Sequence, residues 1–546
     1  MRGRVVQCVS LACAIAALCG HARAQLAQDQ VLLVYDSRIA DSRDVAEFYA
    51  GSRKVPGGTG TERGVRPLVH VLNLANAGVP ASLPGNISYA NFATNLRSPI
   101  RQHLLATNLT RRIRGIVLTK GLPHRVQDTN NPNNADAPTN GTGAFIPELE
   151  ASDVTSASVD AELTLLWQDL DSGEAGGPGD SRADGVIQNP YRWLVRSLAT
   201  YDNTNIASTK TLQTSLPAGL GPYWSIIGAG NSPSRLNPGD IYAVTRLDGR
   251  TVPGVRAMIQ RAQNLHINVA TAALLFDEDG ADLDASSSVF PTNNGDDYEL
   301  TVNNITNDGR FRPAQNVPPP NVLYNNLPGA LQFFVGPNLA QGVSWNGGII
   351  RPEPVILIAS YGANHSGVPT TSAGQGGGTI YATTFNLANG AIFNTIESYN
   401  GRDFGGLGQL AAYPQMQAAD FLNAGGTFAV CNVWEPLADT IPDNVFLVNN
   451  FVLGNLSWAE ASWTSIPGLS WMQMSVGEPL ARVTRSSEDF NANQRVTADD
   501  VYLWQALPAG DLAKDVNRSG TADTTDRGFI INSARAAERV NIFAGR

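Results

Sequence analysis

Cysteine is nearly absent from this chain: there are four in 546 residues, and three of them, Cys8, Cys13 and Cys19, fall at the very start. If that leading segment is removed, Cys431 stands alone and no intrachain disulfide can form. Charge is also sparse, at 16% Asp, Glu, Lys and Arg, and its formal balance is -10. That sign argues against nucleic acid as a partner, because phosphate binding calls for clustered Lys and Arg. Beyond residue 24 no apolar run reaches the roughly 20 residues needed to cross a hydrocarbon core. Stability must therefore come from burial, and a mature chain of about 520 residues is enough for one large or two medium domains.

The N-terminus carries Arg2 and Arg4, an apolar run from Val5 to Cys19, and Ala22-Arg23-Ala24 before Gln25. This is the layout of a cleavable secretory signal, with cleavage after Ala24. Its roughly 15 apolar residues are too few for a membrane anchor, and Leu18 before Cys19 disfavours lipid attachment. The sequence predicts a signal peptide over residues 1–24 and an extracytoplasmic protein, whether secreted, periplasmic or at the cell surface. Loss of Arg2, Arg4 and Arg23 takes the formal charge from -10 to -13.

Gly, Asn, Pro and Ser are plentiful, which points to long loops on a compact scaffold. The stretch from Val31 to Tyr35 reads as a strand and Asp41 to Tyr49 as a helix. The alternation repeats: Leu68 to Leu72 is strand-like, Ala93 to Leu105 helical, and Gly115 to Thr119 a buried strand. Further strands are expected at Ile241 to Leu247, Ala270 to Phe276, Val355 to Tyr361, Gly390 to Ile396 and Thr427 to Cys431, with a helix from Val252 to Leu265. Such alternation predicts an α/β domain over residues 25–484, with a mainly parallel sheet flanked by helices. Asp128 to Ala144, Asp169 to Gly185 and Asp277 to Asp297 interrupt the pattern and read as surface insertions near strand ends. In the last of these, Asp277, Asp279, Asp282 and Asp284 are either metal-binding or simply solvated.

The composition changes near Thr484, and beyond it lies an internal repeat. Asp489, Asn491, Asn493, Arg495, Thr497 and Asp500 stand at positions 1, 3, 5, 7, 9 and 12 of a loop. Asp515, Asn517, Ser519, Thr521, Asp523 and Asp526 stand at the same positions of a second loop. Calcium takes six to eight oxygens, and alternate residues of a 12-residue loop aim their oxygens at one centre, with position 7 contributing its backbone carbonyl. Val501-Tyr502-Leu503-Trp504 and Phe529-Ile530-Ile531 are expected to supply the apolar face that such a helix must bury.

This segment, from about Glu488 to Ala536, resembles the duplicated loop–helix of type I dockerin modules, which use Asp at position 12. The resemblance implies a small α-helical module over residues 485–546 that folds on Ca2+ and docks onto a cohesin-like protein; a calcium-stabilised cap or attachment to a cell-surface component is the alternative use. Position 6 departs from the pattern in the first loop, where Gln494 replaces the usual Gly; Gly520 is retained in the second. With only Asp489 and Asp500 as carboxylates, the first loop is expected to bind more weakly.

Over most of residues 30–483 the chain resembles a family of uncharacterised secreted bacterial proteins. The shared phrases are Val34-Tyr35-Asp36-Ser37, Leu118-Thr119-Lys120-Gly121-Leu122-Pro123, Ser158-Val159-Asp160-Ala161-Glu162-Leu163, Thr245-Arg246-Leu247-Asp248-Gly249, and Leu469-Ser470-Trp471 with Val476-Gly477-Glu478-Pro479-Leu480. The last of these also resembles the end of gingipain-type peptidase domains, which implies a caspase-like sheet. Peptidases of that kind place His-Gly after one apolar strand and a nucleophilic Cys after the next. Here Val355 to Tyr361 leads to His365, but the next strand runs into Glu397-Ser398-Tyr399. Cys431 lies one strand further on, so a His365–Cys431 dyad departs from the family order, and a lone Cys in an apolar run also serves as packing. Glu397-Ser398-Tyr399-Asn400-Gly401 lacks the leading glycine of a serine nucleophile elbow.

Asp160, Glu162, Arg125, Arg246 and Asp248 fit either a polar cleft at the strand ends or, the favoured reading, a buried ion-pair network. Glu435-Pro436 is a further candidate lining of such a cleft. His70, His103, His124 and His266 show no metal-ligand spacing. Two functions follow: an exported protein presented through a calcium-dependent docking module, or a secreted hydrolase, most plausibly a caspase/gingipain-like cysteine peptidase.

Overall fold

The computed structural model describes residues 25–58, 60–81, 83–127, 157–168, 187–208, 210, 236–263, 265–267, 272–279, 298–307, 322–339, 345, 347–362, 365, 367, 368, 381, 383–405, 416–434, 436, 441–453, 456–485, 488, 490, 491, 496–516 and 521–544. The expected insertions at 128–144 and 169–185, and positions 280–297, lie outside them.

Among the described residues ten strands form one sheet. In chain order they are β1 (Val31–Tyr35), β2 (His70–Asn73), β3 (Gly115–Thr119), β4 (Ala243–Leu247), β5 (Ala273–Asp277), β6 (Val322–Asn325), β7 (Val355–Ser360), β8 (Leu387–Phe393), β9 (Phe428–Asn432) and β10 (Gln473–Val476). The spatial order is β6-β5-β7-β8-β9-β10-β4-β3-β1-β2. β1, β3, β5 and β7 are runs of apolar and β-branched residues buried at every position. Unbroken apolar runs of this kind belong to strands covered on both faces, whereas a strand with one wet face alternates.

Every neighbouring pair is parallel except β9 and β10, which run antiparallel with Cys431 opposite Met474. The sheet is therefore mixed but mostly parallel, two parallel sets joined through one antiparallel seam. The carboxyl ends of β5 to β9 lie at the opposite edge of the sheet from those of β1, β3 and β4.

Helices cover both faces. Ile392 on β8 pairs with Phe428 on β9, so Phe393 and Phe428 point to opposite sides of the sheet. Phe393 meets Phe421 of helix Ala418–Asn423, whereas Phe428 stacks on Trp458 of helix Trp458–Ser465. The second of these helices is buried along its whole length and is started by a capping box between Ser457 and Glu460. The phrase Val476-Gly477-Glu478-Pro479-Leu480 has a physical role as well. Wholly buried Glu478 accepts from Tyr49 Oη at 2.7 Å and from Arg66 Nη2 at 2.8 Å, which ties the end of the domain to the helix after β1.

The stretch expected as one helix from Ala93 to Leu105 is the last two pieces of a three-piece run from Tyr89 to Ala106. A turn of α-helix at Tyr89–Phe92 begins at Ser88, whose hydroxyl accepts from Asn91 N–H. It passes through a π-helical segment at Ala93–Arg97 into helix Ser98–Ala106. Pro99 has no N–H to give to a carbonyl one turn back, and the ladder widens just ahead of it.

Among the described residues apolar side chains gather in two clusters. One extends from Leu26 to Val483; the other consists of Val496, Trp504, Val516, Ile530 and Ala534, with Phe490 and Val501 packed against it. Among the described residues no helix is long and apolar enough to cross a membrane.

Candidate functional site

The C-terminal repeat is visible in the structure as a repeated local geometry. α1 (Ala498–Ala506) and α2 (Thr524–Ala544) each follow one of the loops. Asp500 and Asp526, at position 12 of each loop, have no exposed surface. Each accepts from the backbone N–H three residues earlier: Thr497 N to Asp500 Oδ2 at 2.7 Å, and Asp523 N to Asp526 Oδ2 at 2.8 Å. Asp500 Oδ1 also accepts from the N–H groups of Phe490 and Asn491, at 2.8 and 3.2 Å, which draws the start of the first loop onto its twelfth residue.

Trp504 and Ile530 hold equivalent places in the two repeats and both belong to the small core, and Trp504 Nε1 donates to Lys514 O at 2.8 Å. Asp515 is buried, and Thr521 and Asp523 are exposed. Asp523 caps α2 by accepting from Thr525, and those bonds hold its carboxyl below the usual range. Asp489, Asn493, Arg495, Asn517 and Ser519 lie outside the described residues. Among those described, no three His, Cys, Asp or Glu side chains group to hold a metal ion.

A second constellation lies beyond the carboxyl ends of β5 and β7. Asp277 closes β5, and its carboxylate is a hub: Oδ1 accepts from Asn325 Nδ2 at 2.8 Å and Oδ2 from Phe334 N at 2.6 Å. Burial pushes the Asp277 carboxyl up to about 7; the hydrogen bonds from Phe334 and Asn325 and the nearby His365 imidazole pull the other way. His365 is buried. Its Nε2 lies 3.0 Å from Glu278 O and 3.8 Å from Asp277 Oδ1, and its Nδ1 is 3.6 Å from Asp279 Oδ1. Tyr324 Oη bridges the carboxylates of Glu278 and Glu299. Glu397, after β8, is wholly buried and accepts from Thr395 Oγ1 and Met416 N, both at 2.8 Å. The Asp277–Asp284 stretch thus begins as a buried strand end and not as a solvated loop.

His365 and Cys431 are not brought together. His365 faces β5, whereas Cys431 is inside β9, with β8 between β7 and β9. Two strand spacings amount to roughly 9.6 Å. Cys431 Sγ packs toward Met474 O at 4.0 Å, beside Gly401, and burial pushes its thiol well above the ordinary range.

The charges around Arg246 form a closed, buried network. Arg246 donates to Asp160 at 2.6 Å and to the carbonyls of Leu122 and Pro123, and Asp248 lies 3.7 Å away. Lys120 Nζ reaches Gly249 O, Phe404 O and Asp248. Burial raises the carboxyls of Asp160 and Asp248, opposed by these cations. Arg125 is buried over Trp434, and Glu162 accepts from Ser470. Desolvation pushes the buried His124 imidazole well below its usual range, and its Nε2 lies 3.0 Å from Arg402 O. Glu435 lies outside the described residues. His70 and His103 are partly exposed, and His266 sits in a short strand at Leu265–Ile267.

The proximity of Asp277 to His365, and the bonds of Asn325 and Tyr324 to Asp277 and Glu278, are not read from the sequence. The available signal was an acidic run directly following an apolar strand, the usual edge for ligands in parallel sheets. No protein-family model, no curated protein and no solved structure matches this chain.

Proposed function

We propose that this is an exported protein whose large α/β domain is presented through a calcium-dependent, dockerin-like docking module at its C-terminus. The observation that carries this reading is the duplication of Asp500 and Asp526, wholly buried carboxylates at the same position of successive loops and in the same hydrogen-bonded setting. A helix cap alone accounts for the bonds to the backbone. It leaves unexplained why the ligand-type residues recur at every position of both loops.

The residues present fit a hard cation. The first loop offers Asp489, Asn491, Asn493, the Arg495 carbonyl and Asp500; the second offers Asp515, Asn517, Ser519, the Thr521 carbonyl, Asp523 and Asp526. Bound calcium would neutralise these carboxylates and hold each loop closed against its helix. The partner surface is apolar: Leu503 and Phe529, again equivalent in the two repeats, are 41% and 48% exposed, and neighbouring Tyr502 is 69% exposed. A cohesin-like protein or a cell-surface component is the partner this surface suits. Equilibrium dialysis of the full chain tests the reading. Two calcium ions per chain are expected, falling to one in Asp526→Ala; a stoichiometry of zero sinks the idea.

A second reading, a secreted hydrolase of caspase- or gingipain-like type, is favoured by one observation: His365 lies beyond the carboxyl end of β7 beside Asp277. It is weakened by the position of Cys431 one strand too far away. Turnover of peptide substrates that is lost in His365→Ala with an unchanged melting temperature is its test.

A further inference from the structure

The residues that follow the expected cleavage point are built into the large domain. Leu26 is buried in the main core beside Gly115, and Gln30 O accepts from Arg114 N at 2.8 Å. Gln25 is exposed, one residue outside that anchor. A single guanidinium grips both. Arg482 Nη1 donates to the Gln25 side-chain oxygen, Oε1, and Arg482 Nη2 donates to Leu26 O at 2.9 Å. Arg482 is itself held in place. Ala481 O, just before it, accepts from Trp458 N at 2.9 Å, and the strand Val483–Arg485, just after it, pairs with Leu265–Ile267.

Cleavage after Ala24 frees the α-amine of Gln25 within one residue of that guanidinium. An N-terminal glutamine carries its own nucleophile and electrophile, so proximity is already provided. The α-nitrogen attacks Cδ, and negative charge collects on Oε1, the atom that Arg482 holds. Collapse breaks the Cδ–Nε2 bond. The side-chain nitrogen takes the proton given up by the α-amine and leaves as ammonia, with no oxidant or second substrate consumed. Burial lowers the Arg482 guanidinium from its ordinary range, and in a partly desolvated setting a second cation alongside is costly. The lactam removes that cation. Its oxygen is the former Oε1, so Arg482 keeps its acceptor.

We propose that the exported chain begins with pyroglutamate at position 25, formed by a cyclisation of Gln25 that Arg482 accelerates by stabilising the oxyanion on Oε1. The inference rests on export with cleavage after Ala24, and on neither the docking module nor a peptidase activity. A blocked, neutral terminus offers no amine to aminopeptidases, which suits a protein that works outside the cytoplasm.

Intact-mass spectrometry and N-terminal sequencing of the exported full-length protein test it. A chain that begins at position 25, is lighter than its sequence by one ammonia and resists amine-directed degradation is expected. The part played by Arg482 is read from the rate, after a specific protease freshly exposes Gln25 on the otherwise complete chain. Arg482→Met should cyclise at least about tenfold more slowly than the native wild type, a lower bound for losing one oxyanion donor. The wild type unfolded in urea should be slowed as much, which gives the same comparison without a substitution. Arg482→Lys keeps a cation and should fall between. A chain that begins at Gln25 with a free amine overturns the inference and leaves export standing, whereas one that begins elsewhere overturns both. Equal rates in the native, Arg482→Met and unfolded chains overturn the role of Arg482.

Discussion

Arg246 Nη2 lies 2.6 Å from Asp160 Oδ2, and neither residue has any exposed surface. Taking both charges out of water is costly, and the contact returns only part of that cost, since Asp160 Oδ1 and Arg246 Nε have no hydrogen-bond partner among the described residues. Removing one partner strands the other. Arg246→Ala is therefore expected to destabilise the large domain by about 3–5 kcal/mol, whereas Arg246→Met with Asp160→Leu should recover much of that loss. Thermal unfolding of the two variants measures the difference. A single variant that melts with the wild type would show that the pair is not buried as described.

Asp277 gives the pH dependence a sign. Its carboxyl is raised in the folded protein to about 7, above the roughly 3.9 of an unfolded chain. The folded state therefore binds a proton more tightly, and the stability this contributes is complete below the unfolded value and lost as pH rises through about 7. Melting temperature across pH 5 to 8, in the wild type and in Asp277→Asn, is the check. The variant should show a flatter slope in that window; an identical slope would assign it to other groups.

Cys431 is expected to be chemically silent in the folded protein. Its thiol is buried in β9 and pushed well above the ordinary range by desolvation, so almost none is thiolate at neutral pH. Reaction with a thiol-specific reagent should proceed at the rate of unfolding, and Cys431→Ser should alter stability alone. Rapid labelling of the native protein would instead favour the cysteine peptidase reading.

How much of this was legible in the sequence depended on how local each signal was. β3 and β7 are continuous apolar runs, and their positions follow from that fact alone. β10 escaped notice because Gln473 and Ser475 break its apolar run, yet both are buried in the centre of the sheet. Its place at the seam between the two parallel sets is a long-range pairing that no window of sequence reveals.

The π-helical segment at Ala93–Arg97 was hidden inside a helical periodicity, although Ser88 and Pro99 were present as cues. At the strand-end site, His365 was legible from the strand before it. Its link to Asp277 was not, because the two are far apart in the chain and only the adjacency of β5 and β7 closes the gap. The 12-residue repeat was the reverse case, since its signal is entirely local spacing.

The central claim is tested most directly by calcium titration of the segment 485–546, followed by circular dichroism and calorimetry with and without chelator. Among the described residues its apolar cluster is built on Val496, Trp504, Val516, Ile530 and Ala534, and a segment of roughly 60 residues is marginal without added support such as a metal. Helix content and a defined melting transition that appear only with calcium are the predicted result. A segment equally folded in chelator, or one that never binds calcium, would contradict the docking-module account.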